Sequence, residues 1–187
     1  FKPKTVDEDF LKELGGRQQA RPAPGQAVKF AGGEATFKVL DPKNFWQDTK
    51  FTGGYEAVDL RAAMAPDDNV TGYLYTVLDN DQPRYAELAM LTPKGDQWNT
   101  RERLDYATWI GGLAVKEGEV VQLEKGKIPI VIQFALGTMQ SAGKIWFAPR
   151  LVDRTHQYAR LRERFEKAGA AWQAYQKLKD QLFTLKP

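Results

Sequence analysis

The chain has no cysteine and a single histidine among its 187 residues. A disulfide framework, a cysteine-ligated zinc site and a cysteine nucleophile are therefore excluded. His156 alone does not make a zinc site of the usual kind. The only serine, Ser141, lies in a predicted turn without a nucleophile-elbow sequence. We therefore expect no enzymatic activity, no cofactor and no metal site.

Long apolar runs and a strong excess of one charge are also missing. No stretch approaches the roughly 20 apolar residues that span a bilayer, so no transmembrane segment is expected. The formal net charge of +3 is too small to indicate nucleic-acid binding. The absence of cysteine fits a bacterial periplasm or cell surface, so we expect a periplasmic or extracellular location. Because the first residue is Phe1, we expect that a leader or tag was removed.

Short apolar segments rich in Val, Ile, Phe and Trp, divided by glycine-containing turns, fill residues 106–151. Their large residues recur mostly at a period of two, which is typical of half-buried β-strands. The same pattern extends upstream to strands at 55–60, 70–78 and 84–91. We expect the last two of these to be antiparallel partners. The sequence therefore predicts a mainly β chain.

Several of these segments resemble the strands of galactose-binding-like β-sandwich (jelly-roll) domains. The resemblance covers about residues 56–151 and rests on segments 58–60, 70–76, 109–115, 120–127 and 146–151. It implies an antiparallel jelly-roll and a non-catalytic binding function. The sequence departs from the family pattern at two turns: Gly111 replaces an Asn, and residues 92–98 replace a polar Ser-Asp-Asp-Gly-like turn.

Two appendages flank the predicted β-sandwich of residues 26–152. Residues 1–25 are expected to form a short helix, with a capping box at Thr5 and Glu8 and a stop at Gly15-Gly16, and then a proline-rich linker. Residues 26–31 and 34–40 predict a hairpin around Gly32-Gly33. Residues 153–187 predict a long C-terminal amphipathic helix.

Aromatic and polar residues in the loops at the rim of the sandwich are candidate ligand contacts. Trp98 lies among Asp96 and Arg101, a combination that stacks on sugar rings and hydrogen-bonds to their hydroxyls. Trp46 is a second candidate, with plugging the mouth of the sandwich as its alternative role. Trp109 and Trp146 lie in strands and are expected in the core.

Acidic pairs in the predicted turns have a structural explanation. Asp is favoured in turns because its side chain forms hydrogen bonds with the nearby backbone. The alternative roles of these pairs are glycosidase-type catalysis and the binding of a calcium ion in a loop. Their spacing is diagnostic of neither alternative. The pairs are Asp67 with Asp68, Asp79 with Asp81, and Asp96 with Glu102.

Apolar residues spaced by three and four form one stripe of the predicted C-terminal helix. From residue 151 onward there are eight basic and four acidic residues, whereas the preceding part is nearly neutral. The helix has three possible partners: its own sandwich, another protein subunit or an anionic surface. The residues expected to dock on a partner are Phe165, Trp172, Tyr175 and Leu182.

Two functions from different classes remain open at this point. The first is a non-catalytic binding module of a secreted or periplasmic bacterial protein, with a glycan or other cell-surface ligand. The alternative is a structural or accessory subunit that docks into a larger protein assembly through its terminal helices.

Overall fold

A computed structural model describes residues 9–30, 33–47, 56–60, 63, 70–91, 104–136 and 146–184. Within these residues the chain is mainly β, and all strand pairs are antiparallel. The strands are β1 (Ala27–Phe30), β2 (Gly33–Thr36), β3 (Phe45–Gln47), β4 (Glu56–Asp59), β5 (Val70–Asn80), β6 (Arg84–Leu91), β7 (Leu104–Ile110), β8 (Leu113–Val115), β9 (Val120–Leu123), β10 (Gly126–Leu136) and β11 (Trp146–Asp153). Helix α1 spans Gly16–Gln19 and helix α2 spans Thr155–Thr184.

Nine strands form two larger sheets within the described residues. One sheet has the order β5-β10-β7-β8 and the other has the order β3-β4-β11-β6-β9. Two buried clusters contain residues from both sheets, so the sheets share one core. In the first cluster, Met90 of β6 packs with Ile132 and Phe134 of β10. In the second, Leu88 of β6 packs with Ile110 of β7.

The predicted pairing of residues 70–78 with 84–91 is wrong. Both strands exist, but β5 pairs with β10, whereas β6 pairs with β11 and β9. The buried Asn80 gives a physical reason, because its Nδ2 donates to the carbonyls of Leu123 and Glu124. These bonds hold the end of β5 beside the start of β10, and the chain crosses to the other sheet through residues 81–83.

The outer face of the four-stranded sheet is covered by the chain's own N-terminal region. Leu11, Ala20 and Val28 are buried against Trp109 and Val131. Trp109 and Trp146 are both buried, as predicted. Trp109, however, points to this outer face, opposite to Ile110 in the shared core.

The N-terminal region differs in detail from the prediction. A 3-10 turn at Lys12–Leu14 ends at Gly15, whose φ of 88° is the left-handed conformation that favours glycine. Helix α1 then begins at Gly16, so the prediction that the linker directly follows Gly15-Gly16 is wrong. Asp9 stabilises this arrangement by accepting hydrogen bonds from the backbone N–H groups of Leu11 and Arg17. The predicted capping box lies outside the described residues.

The predicted hairpin of residues 26–40 is present as β1 and β2. Phe30 pairs with Gly33, so Gly33 belongs to β2 and not, as predicted, to the turn. The two strands form a separate two-stranded sheet whose Val28 packs on the N-terminal segment.

Candidate functional site

Three of the four predicted ligand contacts lie outside the described residues, namely Asp96, Trp98 and Arg101. The backbone of Trp46 lies in β3, an edge strand of the five-stranded sheet, and pairs with Ala57. The glycan site therefore stays a prediction from the sequence.

The other candidate polar groups do not converge in the described part of the chain. Asp79 forms an exposed ion pair of 3.2 Å with Lys127, and His156 lies exposed in the first turn of α2. No group of three or more potential metal-ligating side chains occurs among the residues that are described. Asp67, Asp68, Glu102 and Ser141 lie outside them.

A depression of about 510 Å³ lies beside β7 and β8. The Tyr106 hydroxyl donates to Glu117 Oε2 at 2.6 Å on its wall. The Thr108 Oγ1 atom is buried there without a hydrogen-bond partner. Asp105 and Glu119 add negative charge, but Glu119 already accepts a hydrogen bond from the Lys116 backbone at 2.8 Å. These groups can form hydrogen bonds, but their arrangement does not combine a nucleophile, a base and an oxyanion-stabilising group.

The outer face of the four-stranded sheet is closed by polar contacts as well as apolar packing. The Arg17 guanidinium lies 5.0 Å from the centre of the Trp109 ring, and its Nε lies 3.6 Å from Asp9 Oδ1. The Tyr73 hydroxyl accepts a hydrogen bond of 3.0 Å from the Phe10 backbone, and burial raises the pKa of this hydroxyl. At these positions the sheet is occupied by its own chain rather than open to a ligand.

Helix α2 is fixed to the rest of the protein at its first turn. Thr155 Oγ1 accepts a hydrogen bond from the Tyr85 backbone at 3.1 Å, and the rings of Tyr85 and Tyr158 stack at 5.0 Å. Just before the helix, Arg154 donates to Glu87 at 2.7 Å. From residue 156 to residue 179, every residue of the helix is exposed except the half-buried Gln176.

The remaining length of α2 therefore extends into solvent. Thirty residues make a helix of about 45 Å. Side chains of the predicted apolar stripe are exposed: Phe165 is 75% exposed, Trp172 62% and Tyr175 55%. The last two rings stack on each other at 5.6 Å. Leu182 lies in the same helix at the next position of the stripe.

Ion pairs on the helix surface offset part of its positive charge. Arg162 donates to Glu166 at 2.9 Å, which raises the pKa of Arg162, and Lys167 donates to Glu163 at 2.8 Å. Pairs at this spacing stabilise a solvent-exposed helix modestly. None of the described helices is both long and apolar enough to cross a membrane.

The sequence predicted α2 and its stripe but not how the helix is attached. Tyr85 and Tyr158, which make the anchor, lie 73 positions apart, and neither belongs to a recognisable motif. The spacing of Tyr158 was a partial signal that it belongs to the apolar stripe. It precedes Leu161 by three residues, and Leu161 precedes Phe165 by four.

No protein family matches the sequence, and comparisons with curated proteins and with solved structures gave no match either.

Proposed function

We propose that the protein is a non-catalytic accessory subunit that joins a larger protein assembly through α2. The observation that carries this proposal is the exposed aromatic stripe on a helix held to the body by its first turn. The two sheets serve as a scaffold from which the helix extends. Their jelly-roll arrangement and the periplasmic or extracellular location belong to the same proposal.

The chemistry of the stripe supports a protein partner. Contiguous exposed apolar patches on soluble proteins mark interaction sites, and aromatic residues and Arg are enriched where proteins meet. Five large apolar residues follow one another along the helix, and each is at least 46% exposed. They are Leu161, Phe165, Trp172, Tyr175 and Leu178. A helix that carries such residues into water is stabilised when a partner covers them.

The other two predicted partners of α2 fit the structure less well. The apolar stripe does not pack on the sheets of its own chain, because its described side chains are exposed to solvent. A membrane surface would favour a polar face rich in unpaired basic residues. Two of the basic residues, Arg162 and Lys167, are already paired with carboxylates of the same helix.

Replacement of two stripe residues tests the proposal. We expect the double variant Phe165→Glu/Trp172→Glu to lose the native complex, because two charges would have to be buried at the interface. Affinity purification of the tagged full-length variant from the native host, with mass spectrometry, measures the loss.

The matched control is Gln173→Glu/Ala174→Glu, which adds the same two charges at neighbouring exposed residues outside the stripe. This control is expected to retain the complex. Retention of the complex by the stripe variant, with an unchanged melting temperature, would contradict docking through α2.

A further inference from the structure

The stripe of α2 follows a seven-residue repeat. Tyr158, Phe165 and Trp172 are spaced by seven, and Lys179 occupies the next such position. The second position of each repeat, three residues further on, holds Leu161, Ala168, Tyr175 and Leu182. A strict heptad repeat keeps one seam of a helix facing a partner helix in a left-handed coiled coil. The partner that fits this seam is therefore another helix.

The repeat is complementary to itself when two copies run antiparallel. In such a pair, the first position of one helix faces the second position of the other. If the two-fold axis passes through residue 170, each layer combines residues equally distant from it. The resulting layers within the described side chains are Ala168 with Trp172, Phe165 with Tyr175, and Leu161 with Lys179.

Side-chain size matches across the central layers. The largest side chain, Trp172, faces the small Ala168 on each side of the axis, so the two central layers are equally filled. Alternation of large and small residues across facing positions is what allows helices to interdigitate. In a parallel pair, two Trp172 rings would meet in one layer and two Ala168 methyl groups in the next.

The glycine near the axis borders open space in the single chain. Gly169 lies within an exposed helix, where glycine costs about 1 kcal/mol relative to alanine. A Cβ added at this position would meet nothing within 4 Å. In the antiparallel pair Gly169 faces its own copy beside the axis, and the missing side chain lets the two backbones approach closely.

Charge also favours the antiparallel orientation. A parallel pair would place Lys179 against Lys179 in the buried seam, where like charges are costly. The antiparallel pair places Lys179 against Leu161, so that its aliphatic stem packs while the ammonium group reaches water. At the flanking positions, Arg162 faces Gln176 and Arg164 faces Leu178, so that no like charges face each other there.

We infer that the partner covering the stripe of α2 is a second copy of this chain, paired antiparallel about residue 170. This inference rests on the proposed docking function and names its partner. The described apolar side chains of the two stripes offer on the order of 1,000 Å² for burial, which reaches the size of a specific interface. The two bodies then lie at opposite ends of the helix pair, about 45 Å apart.

Sedimentation equilibrium of the full-length chain tests the pairing. We expect a dimer, and we expect Trp172→Glu to weaken its association about a hundredfold because both central layers are lost. Gln173→Glu places the same charge outside the seam and is expected to remain dimeric. A chain that stays monomeric at the highest soluble concentration would overturn the inference.

Cysteine cross-linking tests the orientation, since the chain has no cysteine of its own. A mixture of Leu161→Cys and Lys179→Cys chains is expected to form a disulfide between the two variants. Each variant alone is expected to remain uncross-linked, because residues 161 and 179 lie about 27 Å apart along the helix. Cross-linking of Leu161→Cys with itself would instead show a parallel pair and overturn the inference.

The outcomes separate this inference from the proposed function. A monomer whose native complex still depends on Phe165 and Trp172 would leave docking intact and assign the stripe to a different protein. A monomer that binds vesicles of phosphatidylserine through α2 would overturn both. Melting temperatures of the variants identify any that fail to fold.

Discussion

At the residue scale, Leu11 is a fully buried large side chain outside the shared core. Its side chain is 1% exposed and lies in the cluster that contains Trp109 and Val131. Leu11 is one of the residues that tie the N-terminal segment to the outer face of the four-stranded sheet, together with Ala20 and Val28. Leu11 therefore packs on its own chain.

Truncation of Leu11 is expected to destabilise the whole fold. Leu11→Ala removes buried methyl groups and leaves a cavity, so the free energy of unfolding should fall by about 2–4 kcal/mol in urea titrations. Leu113→Ala is the matched control, since Leu113 is 67% exposed and should change stability by less than about 0.5 kcal/mol. Equal effects of the two substitutions would contradict the docking of the N-terminal segment.

Single residues also show the limit of sequence reasoning. Trp109 was predicted to be buried and is buried. The sequence did not predict which face of the sheet it occupies, because another segment of the chain covers that face. The segment that does so begins about a hundred residues earlier, and its contact with Trp109 involves a cation–π arrangement with Arg17. Local periodicity contains no information on such a distant contact.

At the element scale, strand positions were more predictable than strand partners. The bounds of β6 were predicted as observed, because alternation and flanking turn residues are local signals. The neighbours of β6 in the sheet were predicted wrongly, since β6 pairs with β9 and β11 rather than with β5. That choice depends on long-range contacts such as the bonds of Asn80 to the turn before β10.

The start of α2 is expected to respond to pH. Asp153 Oδ1 accepts a hydrogen bond of 2.8 Å from the Thr155 backbone, and this bond lowers the pKa of the carboxyl. A lowered pKa in the folded state stabilises the helix start above the ordinary pKa. This stabilisation is lost as the pH falls through the lowered value, below about pH 4.

Amide exchange at Thr155, followed by NMR between pH 6 and pH 2, measures this effect. Protection should decrease at the acidic end in the natural chain. In Asp153→Asn the contribution of this side chain should not depend on pH, because an amide does not titrate. The same acid-dependent decrease in both proteins would show that another group controls the helix start.

At the scale of the whole molecule, the sequence predicted the parts and left their arrangement open. A mainly β body and a long C-terminal helix follow from two hydrophobic periods, of two and of about three and a half residues. The departure of the helix from the body does not follow from either, since an amphipathic stripe packs equally well on its own chain or on another. Exposure of Phe165 and Trp172 supplies the missing information.

The mass of the protein as isolated from its native source tests the central claim most directly. Gel filtration with light scattering, followed by mass spectrometry of the same peak, gives the mass and the composition of the assembly. The account predicts a peak well above the mass of one chain, containing at least two copies that separate when the stripe is mutated. A single chain, at native concentration and without partners, would contradict it.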